Sequence, residues 1–332
     1  MMTSKLLFAA TAALTISSCT MQEVDDVAAT PREPIRFEQF VGKTTRGEDV
    51  TTETLKEFRV LGKIYKTDGT TEGVDIKVTK SGDAWTYDNT LYWEYGNRYC
   101  FAATNFIVPS NNATQGYKDF QFESETANEF SLTCPQFVNP NEVSQYIGLQ
   151  NMDIVTAVFD KAYIGKATGN GTVVFDFKHA LAKVQLTFVN NYENGHDVDI
   201  SGISVSGVDR EAAFTQTNGE TAGSWSSLDG PASHGCDDIS LSKQGEEKSV
   251  VTYVLPQDIK SGHEIHFEIE ATDGDRTVKI PIPTDVINKW EAGKAYNYKF
   301  TIYPKSAGSN AVEFGANIGS WSSESGDVEP LG

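Results

Sequence analysis

From Pro34 onward the chain alternates apolar and polar residues with a period of two, and turn residues repeatedly break the alternation. Ile35, Phe37 and Val41 share one parity, with Gln39 interrupting the apolar set. Val74, Ile76 and Val78 alternate after Asp68-Gly69, and Trp85 and Tyr87 follow Ser81-Gly82. Leu91 to Tyr95 and Tyr99 to Val108 form aromatic-rich strand segments that Pro109 closes. Phe120 and Phe122, Phe175 and Phe177, and Val184, Leu186 and Phe188 continue the pattern. Ile265, Phe267 and Ile269 lead through Asp273-Gly274 to Val278, Ile280 and Ile282. That pair predicts a hairpin, because Asp-Gly supplies the positive φ angles a tight turn needs. Tyr296, Tyr298, Phe300 and Ile302 make a further strand, and Val312, Phe314, Ala316 and Ile318 the last one.

Strict alternation puts one face of a strand on a core and the other in water, as in antiparallel sheets. Helical periodicity is confined to two short stretches, 142–149 and 178–183. Many short strands between turn signals predict an all-β chain built as β-sandwiches. The polar, glycine-rich stretch Lys166 to Gly171 predicts a break between one domain over 34–168 and a second over 169–332.

The first residues carry a different pattern. Lys5 precedes a compact apolar run from Leu6 to Ile16, and Ile16-Ser17-Ser18-Cys19 closes it. A basic start, a short apolar run and small residues before a cut make a signal peptide. Small residues ending on a cysteine follow the bacterial lipobox. This reading removes 1–18, makes Cys19 the new N-terminus and attaches lipid to its sulfur. An ordinary secretory leader with an incidental cysteine is the competing reading. The run is too short to span a bilayer, which takes ~20 residues. Residues 19–33 are polar, with Glu23, Asp25 and Asp26 close to the lipid site, and predict a disordered tether. Acidic residues at this place resemble those of Bacteroidetes surface lipoproteins, and that resemblance implies the bacterial outer membrane and cell surface, with lipid as the only membrane contact.

Composition narrows the chemistry. The chain has 332 residues and a formal net charge of −19, and losing Lys5 with the leader makes it more negative. Such a chain repels phosphate backbones, which excludes nucleic acid as an expected partner. Beyond Cys19 there are Cys100, Cys134 and Cys236. Three thiols allow one disulfide at most, and their spacing fits no zinc pattern. His263 and His266 are three apart on a predicted strand, so they face opposite sides and make poor joint metal ligands. His179 reads as a domain-interface or capping residue. Cys236 lies near His234, but Gly230 to Asp238 reads as a flexible loop. Glu123, Glu125 and Glu129 read as a charged strand face. No nucleophile-elbow, zinc-protease, Walker or Rossmann pattern occurs. The expectation is a non-enzymatic chain with no catalytic residue, metal or cofactor.

Five stretches together are similar to the fimbrillin family of Bacteroidetes, of the Mfa-like type. They are Leu91-Tyr-Trp-Glu-Tyr with Tyr99-Cys-Phe-Ala-Ala, Phe177-Lys-His-Ala-Leu-Ala-Lys-Val184, Val254-Leu-Pro-Gln257, Trp290-Glu-Ala-Gly-Lys-Ala-Tyr-Asn-Tyr298, and Ile318-Gly-Ser-Trp321. No single one is specific; their order and separation are. The resemblance implies two tandem transthyretin-like Greek-key sandwich domains and a fimbrial subunit, or accessory fimbrial lipoprotein, that supports adhesion. It also implies like subunits as partners. Many family members are cut after an arginine, which frees the N-terminal strand, and a neighbour's strand fills the vacated groove.

Two segments suit such an exchange. Ile35, Phe37 and Val41 can fill a core face, and the polar stretch Lys43 to Arg46 follows them, where nicking concentrates. Cutting between Arg46 and Gly47 would separate the strand from its domain; otherwise Arg46 is an ordinary surface arginine. In 310–321, Val312, Phe314, Ala316 and Ile318 can enter successive pockets while the backbone pairs with a sheet edge. The same strand could instead fold back into its own sandwich. The rival function is a monomeric surface lipoprotein that binds glycan or host protein, with Trp225 or Trp85 exposed as a sugar platform.

Overall fold

The computed structural model describes residues 32–41, 49–107, 119–138, 152–167, 169–193, 196–306, 311–321 and 330–331. The predicted leader, Cys19, Arg46, Gly47 and the helical stretch expected over 142–149 lie outside the described residues. Strands are the dominant regular structure among the described residues, which carry no α-helix.

In chain order the first strands are β1 (Arg36–Val41), β2 (Glu57–Tyr65), β3 (Thr71–Ser81), β4 (Ala84–Thr86) and β5 (Arg98–Thr104). Then come β6 (Gln121–Thr126), β7 (Glu129–Val138), β8 (Val155–Val158), β9 (Tyr163–Ile164), β10 (Thr172–His179) and β11 (Ala182–Asn190). The long hairpin of β12 (Val198–Thr217) and β13 (Ser224–Gly235) precedes β14 (Ile239–Leu241), β15 (Glu247–Val254) and β16 (Gln257–Asp258). The chain continues with β17 (Glu264–Ala271), β18 (Arg276–Pro281), β19 (Lys289–Trp290), β20 (Lys294–Ile302), β21 (Val312–Ser320) and β22 (Pro330–Leu331).

Three sheets hold most of these strands. An eight-stranded sheet runs β1-β10-β8-β5-β2-β3-β4, with β9 on β5. A seven-stranded sheet runs β18-β17-β12-β7-β6, with β13 and β14 on β12. A five-stranded sheet runs β15-β11-β20-β21-β22.

Each core follows from the alternation. One face of the eight-stranded sheet encloses Phe37, Phe58, Phe101, Phe175 and Phe177. The sheet curls until Phe37 of β1 meets Tyr87, 5.3 Å between ring centres, just beyond β4. The five- and seven-stranded sheets sandwich a second core around Leu186, Phe188, Phe267 and Phe300. Between the two lies a third, where Leu61 and Ala102 of the eight-stranded sheet face Leu132, Phe137 and Phe214.

β12 joins the halves. Its start pairs with β17 and its end with β7, so one strand borders both regions of the seven-stranded sheet. A register shift between Ser206 and Val208 bends it. Gly207 makes the bend, at a φ of +79°, and a Cβ there would lie 2.4 Å from the Gly262 carbonyl oxygen. Only glycine meets both demands.

Several expectations need correction. Leu91 to Tyr95 is not a strand; only Tyr92 bridges to Pro34. The helical turn expected over 178–183 is the end of β10 and the start of β11. Most of the loop expected over 230–238 is strand, in β13. Apart from these corrections, the Lys166 to Gly171 stretch lies between β9 and β10, both strands of the eight-stranded sheet. The Asp273-Gly274 hairpin forms as expected, with Gly274 at a φ of +97°.

Candidate strand-exchange site

β1 is the terminal strand of its sheet. Among the described strands it pairs with β10 alone, in parallel, from Arg36 opposite Thr172 to Val41 opposite Phe177. Alternation turns Ile35, Phe37, Gln39 and Val41 inward, and Ile35, Phe37 and Val41 are almost fully buried. Phe37 sits at the centre, 5.5 Å from the Phe101 ring and 5.9 Å from Phe175. Gln39 is the one polar group in this set. Its Nε2 donates to the Thr52 carbonyl at 2.9 Å, while its buried Oε1 has no partner among the described residues.

The free edge of β1 is clipped rather than paired. The Thr52 hydroxyl donates to the Val41 carbonyl at 2.8 Å and accepts the Val41 N–H at 3.0 Å. Thr52 lies just beyond the 42–48 stretch that holds the expected cut. Its own turn is fixed by Thr51 and Thr54, whose hydroxyls satisfy neighbouring backbone groups. β1 is thus a short, separately pairing strand held at one end by a side-chain clip. Its removal would leave β10 as an open edge above a row of emptied apolar pockets.

The other expected segment is β21. It pairs antiparallel with β20 over nine positions, from Ile302 opposite Val312 to Lys294 opposite Ser320. Among the described residues its far edge is covered only by β22, at Phe314 and Gly315. In this chain the strand therefore lies folded back on its own sheet. Phe314 stacks on Phe300 at 5.2 Å and on Tyr298 at 6.0 Å, and Ala316 is buried. Val312 is half-buried, and Ile318 is 50% exposed.

The remaining candidate residues sit apart from both strands. Trp225 is half-buried, packed on Phe137 and Phe214, and its indole N–H donates to the Ala180 carbonyl at 2.6 Å. Trp85 packs on Phe58 at 4.9 Å. Neither is the exposed platform that a sugar site of the rival kind called for. Cys100, Cys134 and Cys236 form no disulfide among the described residues, and burial pushes each thiol up to about 12. A thiol that reluctant to ionise is a poor nucleophile at neutral pH. His234, inside β13, is fully buried, and burial holds it down at about 4. His263 precedes β17 and stacks on Trp290, 5.7 Å between rings, while His266 takes the opposite parity. Glu123, Glu125 and Glu129 are exposed on β6 and β7.

Sequence reasoning missed the Thr52 clip and the anchoring of the segment around it. A Thr-Thr-Glu-Thr run is a turn signal in itself. Its contact with a strand eleven residues earlier depends on tertiary placement, which no local pattern encodes.

Similar folds exist among solved structures. A candidate cell adhesion protein from Bacteroides ovatus superposes with a TM-score of 0.51 at 15% identity, covering 89% of this chain and 99% of that one. One from Bacteroides uniformis gives 0.50 at 17%, covering 87% and 99%. Both share the fold. No curated protein matches the sequence. The fimbrillin-like family matches from residue 45 to residue 321, which spans β2 through β21 and ends on Trp321. The chain belongs to the fimbrillin-like family.

Proposed function

We propose that this fimbrial or adhesin-type protein assembles on the bacterial surface by exchanging strands between copies. Export as a Cys19-lipidated precursor and a cut between Arg46 and Gly47 come first. The cut leaves β1 held by β10, by the Thr52 clip and, just before its start, by the bonds of Ile35 to Leu91 and Tyr87. β1 departs, and β21 of a neighbouring subunit enters beside β10. The chain acts as a structural part, without catalysis.

One observation carries this reading: β1 and β21 place inward side chains at the same spacing, with phenylalanine second in each, and only the set at β1 has all its apolar members almost fully buried. Aligned in chain direction, Val312, Phe314, Ala316 and Ile318 correspond to Ile35, Phe37, Gln39 and Val41. Phenylalanine stands at the second place in both. Ile318, half-exposed on its own sheet, would gain the site of Val41, which is wholly buried. Ala316 would replace Gln39 and remove a buried acceptor that has no partner among the described residues. Each large apolar side chain brought from exposure to full burial contributes about 1.5–3 kcal/mol before ordering costs. Main-chain pairing to β10 adds affinity, and the alternation sets the register.

The test is to nick purified protein with a trypsin-like protease, establish by N-terminal sequencing that the cut is at Gly47, and examine the product by electron microscopy. Filaments and a denaturant-resistant ladder are expected from the intact tail. A chain ending at Ser309 should give neither. Filaments of undiminished length from the truncated chain would overturn the reading.

A further inference from the structure

The last described residue of the β21 region, Trp321, is buried in a slot of its own. Its indole stacks on the His179 ring at 4.1 Å and 11°, and on the Tyr253 ring at 5.6 Å and 10°. His179 ends β10, at the turn between the eight- and five-stranded sheets, and Tyr253 belongs to β15. The slot therefore lies where the two halves of the molecule meet.

Both walls of the slot are held by the same short segment. Asp49 accepts the Tyr253 hydroxyl at 2.7 Å and the Lys183 ammonium at 2.6 Å. Lys183 and Tyr253 are direct cross-strand neighbours on β11 and β15, so one carboxylate clamps the pair. Asp153 does the same for the other wall. Its carboxylate lies 3.0 Å from Nδ1 of His179 and accepts the Val50 N–H at 2.9 Å. Asp49, Asp153, Lys183 and Tyr253 are all buried. Buried charged groups arranged this way act as a unit, because losing one partner leaves the other uncompensated.

The same segment continues into the Thr52 clip on β1. Residues 49–52 thus touch β1 at one end and both walls of the Trp321 slot at the other. The slot is also imperfect: the Trp321 Nε1 is buried with no hydrogen-bond partner among the described residues. A buried donor left unsatisfied weakens the hold on the ring. That suits a fastening that must open.

We propose that Trp321 is a latch that keeps β21 on its own subunit, and that residues 49–52 control it. While Asp49 and Val50 are docked, Tyr253 and His179 stand parallel around the indole and β21 stays home. Shifting that segment, as departure of β1 would through Thr52, loosens both walls and releases the C-terminal strand. A subunit then gives up its tail only once its own groove has opened. The value of this order to assembly rests on the strand-exchange reading; the latch itself is a property of the single chain.

Hydrogen exchange read by mass spectrometry on the full, uncut chain tests it. Trp321→Ala should speed exchange across 312–320 about a hundredfold, and Tyr253→Phe and Asp49→Asn about tenfold, with the β17–β18 hairpin unchanged. Tyr253→Phe is the decisive variant, since it keeps the stacking ring and removes only the hydroxyl that binds Asp49. Combining Tyr253→Phe with Trp321→Ala should add nothing to Trp321→Ala alone. The latch is overturned if Tyr253→Phe and Asp49→Asn leave β21 exchange at the parent rate, or if their effects simply multiply with that of Trp321→Ala. Absence of filaments after nicking would remove strand exchange while a tenfold response to Tyr253→Phe still upheld the latch.

Discussion

β1 and β21 are built from one pattern and treated differently by the fold. Each is a strand at or next to a sheet edge, each carries an inward aromatic at its second apolar place, and each packs against rings of the neighbouring strands. β1 has its inward apolar side chains, Phe37 and Val41, covered because its sheet curls and brings Tyr87 over Phe37, while Phe40 on the other face is 49% exposed. On β21 Ala316 is buried but Ile318, on the same face, is 50% exposed. Burial therefore depends on what lies opposite a strand as well as on its alternation. The strand with the better site is also the one that precedes the expected cut.

The largest expected effect comes from the centre of β1. Phe37→Ala removes a ring in contact with Tyr87, Phe101 and Phe175, and should cost about 3–5 kcal/mol by urea denaturation. Phe314→Ala, on a half-buried ring, should cost clearly less. Equal losses would break the contrast between the two sites.

Acid acts next, on the sheet that faces β21. Burial holds His234 at about 4 against an ordinary 6.5, and it lowers His263 in the same direction. The unfolded chain binds these protons first as pH falls, so stability is full above about 6.5 and declines toward about 4. His234 alone accounts for about 3 kcal/mol over that range, at 1.36 kcal/mol per unit. Chemical denaturation at several pH values should show this slope, and His234→Gln should flatten it. An unchanged slope in that variant would show that other groups titrate there.

Much of this comparison was legible in the sequence. The period-two patterns at 35–41 and 312–318 marked both strands and their inward residues, because alternation alone decides which side chains can share a face. The partners of those faces were not legible. Parallel pairing of β1 with β10 joins residues more than a hundred positions apart, and no turn signal announces it. The hairpin of β12 and β13 escaped for a local reason: Ser, Gly and Pro dominate 222–235, a composition that mimics a loop although the backbone pairs with β12 along most of 224–235. Leu91 to Tyr95 failed in the opposite way. Its aromatics look like strand material, yet the Trp93 indole N–H donates to the Gly171 carbonyl and Glu94 N–H to the Tyr99 hydroxyl, bonds that serve a compact turn.

Gln39 offers a smaller effect that sharpens the contrast. It is the only inward place where β1 is polar and β21 is not. Gln39→Leu removes the unpartnered Oε1 but also the donor to Thr52, so the net gain should be about 1 kcal/mol. In nicked protein the same change should slow the loss of β1, measured by its appearance as a free peptide. Faster release would mean that the bond to Thr52 outweighs the buried acceptor.

The smallest effect on the single chain belongs to Ile318, and it separates the two environments most cleanly. On its own sheet the side chain is 50% exposed, so Ile318→Ala should change stability by only a few tenths of a kcal/mol, within the range of ordinary surface substitutions. In the place of Val41 it would be enclosed, where truncating Ile to Ala costs about 2–5 kcal/mol. The variant should melt with the parent as a monomer, yet its polymer should come apart at distinctly lower denaturant. A polymer as resistant as the parent's would mean that Ile318 never enters the Val41 site, and the proposed register of β21 beside β10 would have to be abandoned.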